Sequence, residues 1–325
     1  MGSINNNNVI NDFIKSFKSE SRFDSNEQYH GNKDYVGSTS LKLIKLSPLH
    51  YKNQEPLDTE AIRFGSAYHC FILEPEKFDK EYFVIDDTEF CNELIQNGKL
   101  DAKGNRVSVS KPRATNEYKS WYEQQISKSE GKILFDKEDL SKLEAMKSRL
   151  FSNRFARNLL QNGEAEKSYY CDLEIITGQK IGVKVKPDYC KPNKRVIVDL
   201  KTCGKGVAAK NEFPKHAADM DYHISAAMYA DMLSFTENKG MNWDFIFIAQ
   251  EKVVPYAFNI FRASPQFISQ GRYEYELLLQ LLAWCKENDK WPGYQVFCEN
   301  EYGINELSLP KYAINELEFY THSNL

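Results

Sequence analysis

Apolar residues alternate at Ile181, Val183 and Val185, the period of a strand with one buried face. Asp188 falls on the opposite face with Lys184 and Lys186, and Pro187 limits pairing at the strand's end. Lys191-Pro192-Asn193-Lys194 has turn chemistry, and a second strand follows from Val196 to Leu200. Asp199 and Lys201 are two apart, so that strand points both to the same side. A hairpin of these two strands is expected to bring Asp188 close to Asp199.

The helical period dominates elsewhere. Leu140, Leu143, Met146 and Leu150 form an apolar stripe that predicts a core helix over 137–150, with Asp136 placed to cap it. Further helices are expected over 38–47, stopped by Ser47-Pro48, over 63–73, stopped before Pro75, and over 113–129, 152–161, 221–233 and 272–287. Phe245 to Ala249 reads as a buried strand, with 251–256 and 257–261 extending the sheet. Residues 86–111 are rich in Gly, Asn and Lys and read as a mobile loop that could face DNA. The polar, Asn/Ser-rich residues 1–34 read as disordered or loosely attached. This pattern predicts an α/β domain over 35–295, a mixed central sheet flanked by helices, and an acidic tail over 296–325.

Composition narrows the class. A 325-residue chain that is 42% hydrophobic can bury a sizeable core. A net charge of -4 excludes a globally basic nucleic-acid binder. The charge is uneven, however: residues 180–210 hold nine Lys/Arg against the two acids Asp188 and Asp199, a local field able to steer a polyanion. Seven scattered cysteines, with no Cys-x-x-Cys pair and no signal peptide ahead of them, point to reduced thiols in a cytoplasmic protein and away from an iron–sulfur cluster. No run of about 18 apolar residues exists, so no membrane span is expected.

Two close carboxylates repel, and one would ordinarily stay protonated. A divalent cation removes that conflict, and oxygen ligation suits magnesium, with manganese able to substitute. A lysine beside the cation can stabilise charge on a phosphoryl group or activate a water, which together is the chemistry of phosphodiester hydrolysis. Asp-x-Lys alone is ordinarily a solvated strand face. The Pro-Asp eleven residues earlier changes the balance, and the arrangement resembles the PD-(D/E)xK nuclease superfamily, with Asp188, Asp199 and Lys201 as its acid, acid and lysine.

A narrower resemblance is to RecE-type exonucleases (exonuclease VIII). Gly65-Ser66-Ala67-Tyr68-His69, followed by Leu73-Glu74-Pro75-Glu76 and Phe78, is similar to that family's first motif. A lone histidine in an apolar run is ordinarily a satisfied core residue; the resemblance instead implies that His69 lies at the metal site. The family places a glutamate before its first strand, which Glu166 matches, either as a further metal or water ligand or as a surface carboxylate. Tyr222, His223, Ala227 and Tyr229 keep the family's Tyr-His-x-Gln-x-Ala-x-Tyr helix in register, with Ser225 in place of the glutamine. Trp291-Pro292-Gly293-Tyr294 also follows the family order. The resemblance implies that His69, Asp188, Asp199 and the Leu200 carbonyl hold the cation and that Lys201 orients or activates the attacking water. The matching helix places Tyr229, Ser225 and His223 toward DNA, and the local basic field adds Lys184, Lys186 and, on the loop after the second strand, Lys205. The resemblance further implies 5′ to 3′ digestion of linear duplex DNA, a homo-oligomeric ring, a single-strand annealing partner fed with 3′ overhangs, and a phage or mobile-element setting. Two other expectations remain open: a structure-specific or single-strand endonuclease of the same superfamily, and a non-catalytic DNA-end binder.

Overall fold

The computed structural model describes residues 13–55, 58–100, 103–237, 240–297 and 304–310. The described chain opens with β1 (Ile14–Phe23), α1 (Asn26–Gly31) and β2 (Tyr35–Val36), then α2 (Ser38–Leu46), α3 (Pro48–Lys52), α4 (Glu60–Leu73) and α5 (Pro75–Glu81). Next come β3 (Tyr82–Ile85), α6 (Thr88–Asn97), a hairpin of β4 (Lys99–Leu100) and β5 (Arg106–Val107), α7 (Asn116–Lys128) and β6 (Ile133–Asp136). Helices α8 (Lys137–Phe151) and α9 (Arg154–Leu159) lead to β7 (Glu164–Ala165), β8 (Lys167–Ile175), β9 (Lys180–Val185), β10 (Tyr189–Lys191) and β11 (Val196–Cys203). The last elements are α10 (Phe213–Asp219), α11 (Tyr222–Thr236), β12 (Asp244–Glu251), β13 (Phe258–Arg262) and α12 (Pro265–Asn288).

Two sheets carry the fold. The five-stranded sheet has the order β13-β12-β11-β10-β7, with β11 and β12 parallel and the other pairs antiparallel. Helices cover both of its faces, which is why Val196 to Leu200 and Phe245 to Ala249 are so apolar. Val198, Leu200, Ile246 and Ile248 pack toward Tyr68 on α4 and Leu143, Met146 and Leu150 on α8. Ile197, Phe245, Phe247 and Ala249 share the other core with α11, α12 and α2. Asp199 and Lys201 alternate with Leu200 and so look toward α11. The four-stranded sheet has the order β1-β8-β9-β2. The expected α/β class, a mixed sheet flanked by helices, is what forms.

The expected hairpin is different in detail. Strand β9, with Ile181, Val183 and Val185 buried, pairs with β8 and β2 in the four-stranded sheet and does not pair with β11. The chain leaves that sheet at Lys186-Pro187-Asp188, where proline cannot donate to the ladder. The short β10 is what pairs with β11, in the register Tyr189↔Val198. Asp188 is the next residue before β10, and Asp199 the next after Val198, so the two acids still end up side by side. The first crossing between the sheets, from β7 to β8, occurs at Glu166, whose φ is 52°. The seam between the two sheets therefore collects Glu166, Lys186 and Asp188.

Four other expectations are corrected. Residues 14–31 are not loosely attached: β1 runs antiparallel along β8 from Ile14 to Phe23, and Ser25 caps α1 with a full capping box. The polar composition misleads because β1 is an edge strand held by main-chain pairing, with Ile14 buried and the Lys15–Glu174 ion pair across it. Residues 1–12, which include Asn5 to Asn8, lie outside the described residues. Residues 86–111 are not one loop but contain α6 and the β4–β5 hairpin, tied down by Arg113 on Asp87 and by Phe90 stacked on Trp121. Residues 252–257 form a turn between β12 and β13 instead of extending the sheet, and α12 begins seven residues before Arg272, at the Ser264 cap and Pro265. Of the acidic tail, residues 304–310 carry no regular structure, while 298–303 and 311–325 lie outside the described residues. The six described cysteines are unpaired. No helix among the described residues is long and apolar enough to cross a membrane.

Candidate active site

The site is assembled from the inter-sheet seam, strand β11 and helix α4. His69 comes from α4, whose Gly65 lies close enough to β11 that an added Cβ would be 3.8 Å from Thr202 Oγ1. His69 Nε2 lies 2.9 Å from the Leu200 carbonyl oxygen. A carbonyl only accepts, so Nε2 carries the proton and Nδ1 of a neutral ring presents its lone pair. That Nδ1 faces Asp188 Oδ1 at 3.5 Å. The other oxygen, Asp188 Oδ2, accepts from the Leu200 backbone N–H at 2.7 Å, which fixes the carboxylate against β11. Two lone-pair atoms facing each other require a positive charge between or beside them, either a proton or a cation.

Glu166 completes a trio. Ligand atoms of His69, Glu166 and Asp188 lie within 4.8 Å of one another. The Glu166 backbone N–H donates to the Asp188 carbonyl oxygen at 3.1 Å, which couples the two crossings. Burial, then the charge of Asp188, raise the Glu166 carboxyl to about 7. Lys186 Nζ opposes that rise from 3.2 Å, and its other partner is Asn26 Oδ1 on α1 at 2.7 Å.

Asp199 and Lys201 lie on the α11 side. Their Oδ2 and Nζ are 2.5 Å apart. Asp199 is buried, and Oδ2 has no hydrogen bond of good geometry beyond that ion pair. Burial raises its carboxyl despite Lys201, and Asp188 raises it further. Lys201 is held charged, because Asp199 and then Asp188 outweigh its own burial. Three carboxylates in one partly buried place, with an imidazole lone pair among them, suit a hard divalent cation, so these residues fit such an ion.

The residues expected to touch DNA fare unequally. Tyr229 is at the site: after burial, Asp199 and Asp188 are the charges that raise its hydroxyl. Ser225 donates from Oγ to Ser38 Oγ at 3.2 Å, joining α11 to α2. Lys205 is exposed on the loop after β11. His223 is buried, with Nε2 3.1 Å from Glu274 Oε1, and so is committed to the α11–α12 contact. Lys184 and Lys186 do not present free charge. Lys184 is 6% exposed, and its Nζ donates to the Tyr29 and Asn32 carbonyl oxygens at the end of α1, both at 2.6 Å. The reason is the N-terminal segment: α1 lies over the polar face of β9. The basic field of residues 180–210 is correspondingly smaller at the surface.

Residues not foreseen are Asn26 and Tyr29, which belong to the segment read as loose, and Lys42 on α2. Lys42 Nζ lies 5.2 Å from the centroid of the Tyr222 ring, and Lys201 Nζ lies 5.0 Å from the same ring. An amphipathic helix carrying two lysines gives no signal that one of them faces β11.

No protein of curated function matches this chain. Among solved structures, a protein of Eubacterium rectale provisionally named an exonuclease is similar over 93% of this chain and 99% of its own, with a TM-score of 0.53 and 14% identity. At that identity the likeness is one of fold. The profile of a family described as a PDDEXK-like domain of unknown function (DUF3799) matches residues 38–302. That span holds the trio, the Asp199–Lys201 pair and the elements that carry them, and the chain belongs to this PDDEXK-like family.

Proposed function

We propose that the chain is a divalent-cation-dependent DNA nuclease, and more narrowly an exonuclease on the ends of linear duplex DNA. The observation that carries the reading is the convergence of His69, Glu166 and Asp188 within 4.8 Å beside the Asp199–Lys201 pair. Magnesium fits the carboxylates, and manganese fits them together with the imidazole. Bound there, the cation would polarise a phosphodiester and lower the pKa of a coordinated water. Asp188, Asp199 and His69 Nδ1 would hold the cation, and the Leu200 carbonyl, which accepts from His69 Nε2–H, would orient that ring. Lys201 places its ammonium where negative charge develops on the phosphoryl oxygens. Glu166, beside Asp188 at the sheet crossing, would accept a proton from the attacking water.

Polarity from the 5′ end, 3′-overhang products, an oligomeric ring and a single-strand annealing partner extend this reading on the strength of the RecE-type motifs. End-labelled linear duplex, incubated with magnesium, with manganese and with chelator, tests it. Cation-dependent release of 5′-terminal nucleotides is expected, with closed circular DNA left intact. Nicking of closed circles would select the endonuclease reading, and end binding without hydrolysis in either cation would select a non-catalytic end binder.

A further inference from the structure

Lys42 is a charge that this mechanism does not use. It sits in the middle of α2, half-buried, on the Tyr222 side of the Asp199–Lys201 pair. Two ammonium groups that approach one ring to 5.2 and 5.0 Å are at most about 10 Å apart. Burial, and then the positive charge of Lys201, hold the Lys42 ammonium down to about 8 against the opposing pull of Asp199 and Asp221.

The neighbouring lysines all have counter-charges or carbonyls. Lys201 has Asp199, Lys186 has Glu166, and Lys184 has two carbonyl oxygens. Lys45, one turn along the same helix, is shared by Asp221 and Glu274. Among the described residues, the Lys42 ammonium makes no hydrogen bond and no ion pair; the face of Tyr222 is its contact. A partly desolvated cation next to another cation costs stability unless an anion joins it. A tyrosine face compensates only in part.

We infer that Lys42 binds a backbone phosphate of the nucleic-acid substrate adjacent to the one being cleaved, on the α2 side of the site. The inference rests on the nuclease reading above and adds to it a subsite. Lys42 then holds the phosphate next to the scissile one, within about 10 Å of the Lys201 ammonium. The strand runs along the α2 side of the site, outside the contact by which Ser225 joins α11 to Ser38 of α2. Lys42 contributes to substrate capture and register, and the chemistry at the scissile phosphate stays with Lys201 and the carboxylates.

The test uses the full chain with Lys42→Met, which keeps the stem against Tyr222 and removes the charge, and Lys42→Arg, which restores a charge. Binding of a short linear duplex is followed by fluorescence anisotropy across a salt series, with calcium replacing the catalytic cation, and steady-state hydrolysis is measured with magnesium. For Lys42→Met the expected results are a salt slope shallower by about 0.9 and affinity weaker by roughly threefold to tenfold at low salt. KM should rise in proportion, with kcat within about threefold of wild type. Lys42→Arg should recover the slope. Thermal unfolding of both variants serves as the folding control. If wild type binds and cuts while folded Lys42→Met shows its salt slope and KM, the inference is overturned and the nuclease reading stands. A wild-type chain that neither binds nor cuts linear duplex overturns both.

Discussion

At the scale of single residues, the site is a problem of unbalanced charge. Glu166 and Asp199 are both raised by burial and by Asp188, so the metal-free protein retains protons that its unfolded chain releases. The sign for Glu166 follows directly. Between the ordinary carboxylate value and about 7, the folded form binds more protons than the unfolded form, so this group's contribution to stability is present at low pH and is lost as pH rises through about 7. Chemical denaturation of metal-free protein between pH 5 and 8 should show that loss. Glu166→Gln should flatten it by about 1–3 kcal/mol relative to wild type, and an unchanged slope would mean that Glu166 is already ionised. Lys201→Met should lower kcat by roughly a hundredfold to a thousandfold with little change in duplex affinity, because its charge acts where the transition state is formed. Single-turnover rates with the same labelled duplex decide it, and a near-normal rate would remove Lys201 from the chemistry.

At the scale of elements, the placement of α1 and α11 decides what the site looks like. Lys184 holds the end of α1 through two main-chain carbonyl oxygens. Lys184→Met would leave both acceptors buried without a donor, at a cost of about 1–3 kcal/mol, and hydrogen exchange should rise first in residues 14–34. Unaltered exchange in that segment would show that β1 alone anchors it. Helix α11 is pressed against α12 where Gly271 meets the His223 carbonyl, and a Cβ built at Gly271 would lie 1.9 Å from that oxygen. Buried Asp231, bound by Arg272 and Tyr275, ties the same two helices together. Gly271→Val should therefore push α11 away, costing about 1–3 kcal/mol of stability and moving Tyr222 and Tyr229 off the site. Urea unfolding and duplex affinity measured together would show both losses, and a variant as stable as wild type would contradict this packing.

For the whole molecule, the proposed cation binding would be linked to folding. The candidate ligand atoms come from α4, the two sheet crossings and β11, so the unfolded chain has no equivalent site. A divalent cation at about a hundred times its dissociation constant should raise stability by about 2.7 kcal/mol. That gain should disappear in Asp188→Ala, as read by thermal unfolding at increasing magnesium. An equal gain in the variant would place the binding elsewhere.

Much of this was legible in the order of residues. Asp188, Asp199 and Lys201 could be singled out because strand alternation puts Asp199 and Lys201 on one side and because Pro187 ends a strand beside an acid. The helices expected over 38–47, 63–73 and 137–150 form with their ends shifted by at most three residues, because stripes and stop signals are local. Which strands pair is not local. The same alternation at Ile181, Val183 and Val185 suits either sheet, and only the packed structure assigns β9 to one and β10 to the other. Nor does the sequence show that Lys184 and Lys186 are covered, since that depends on a polar edge strand and a six-residue helix contributed from far along the chain. Residue types and their short-range spacing determined which groups could do chemistry. Tertiary structure decided which charges are neutralised internally and which remain for a substrate, because ion pairing and burial are set by elements distant in sequence.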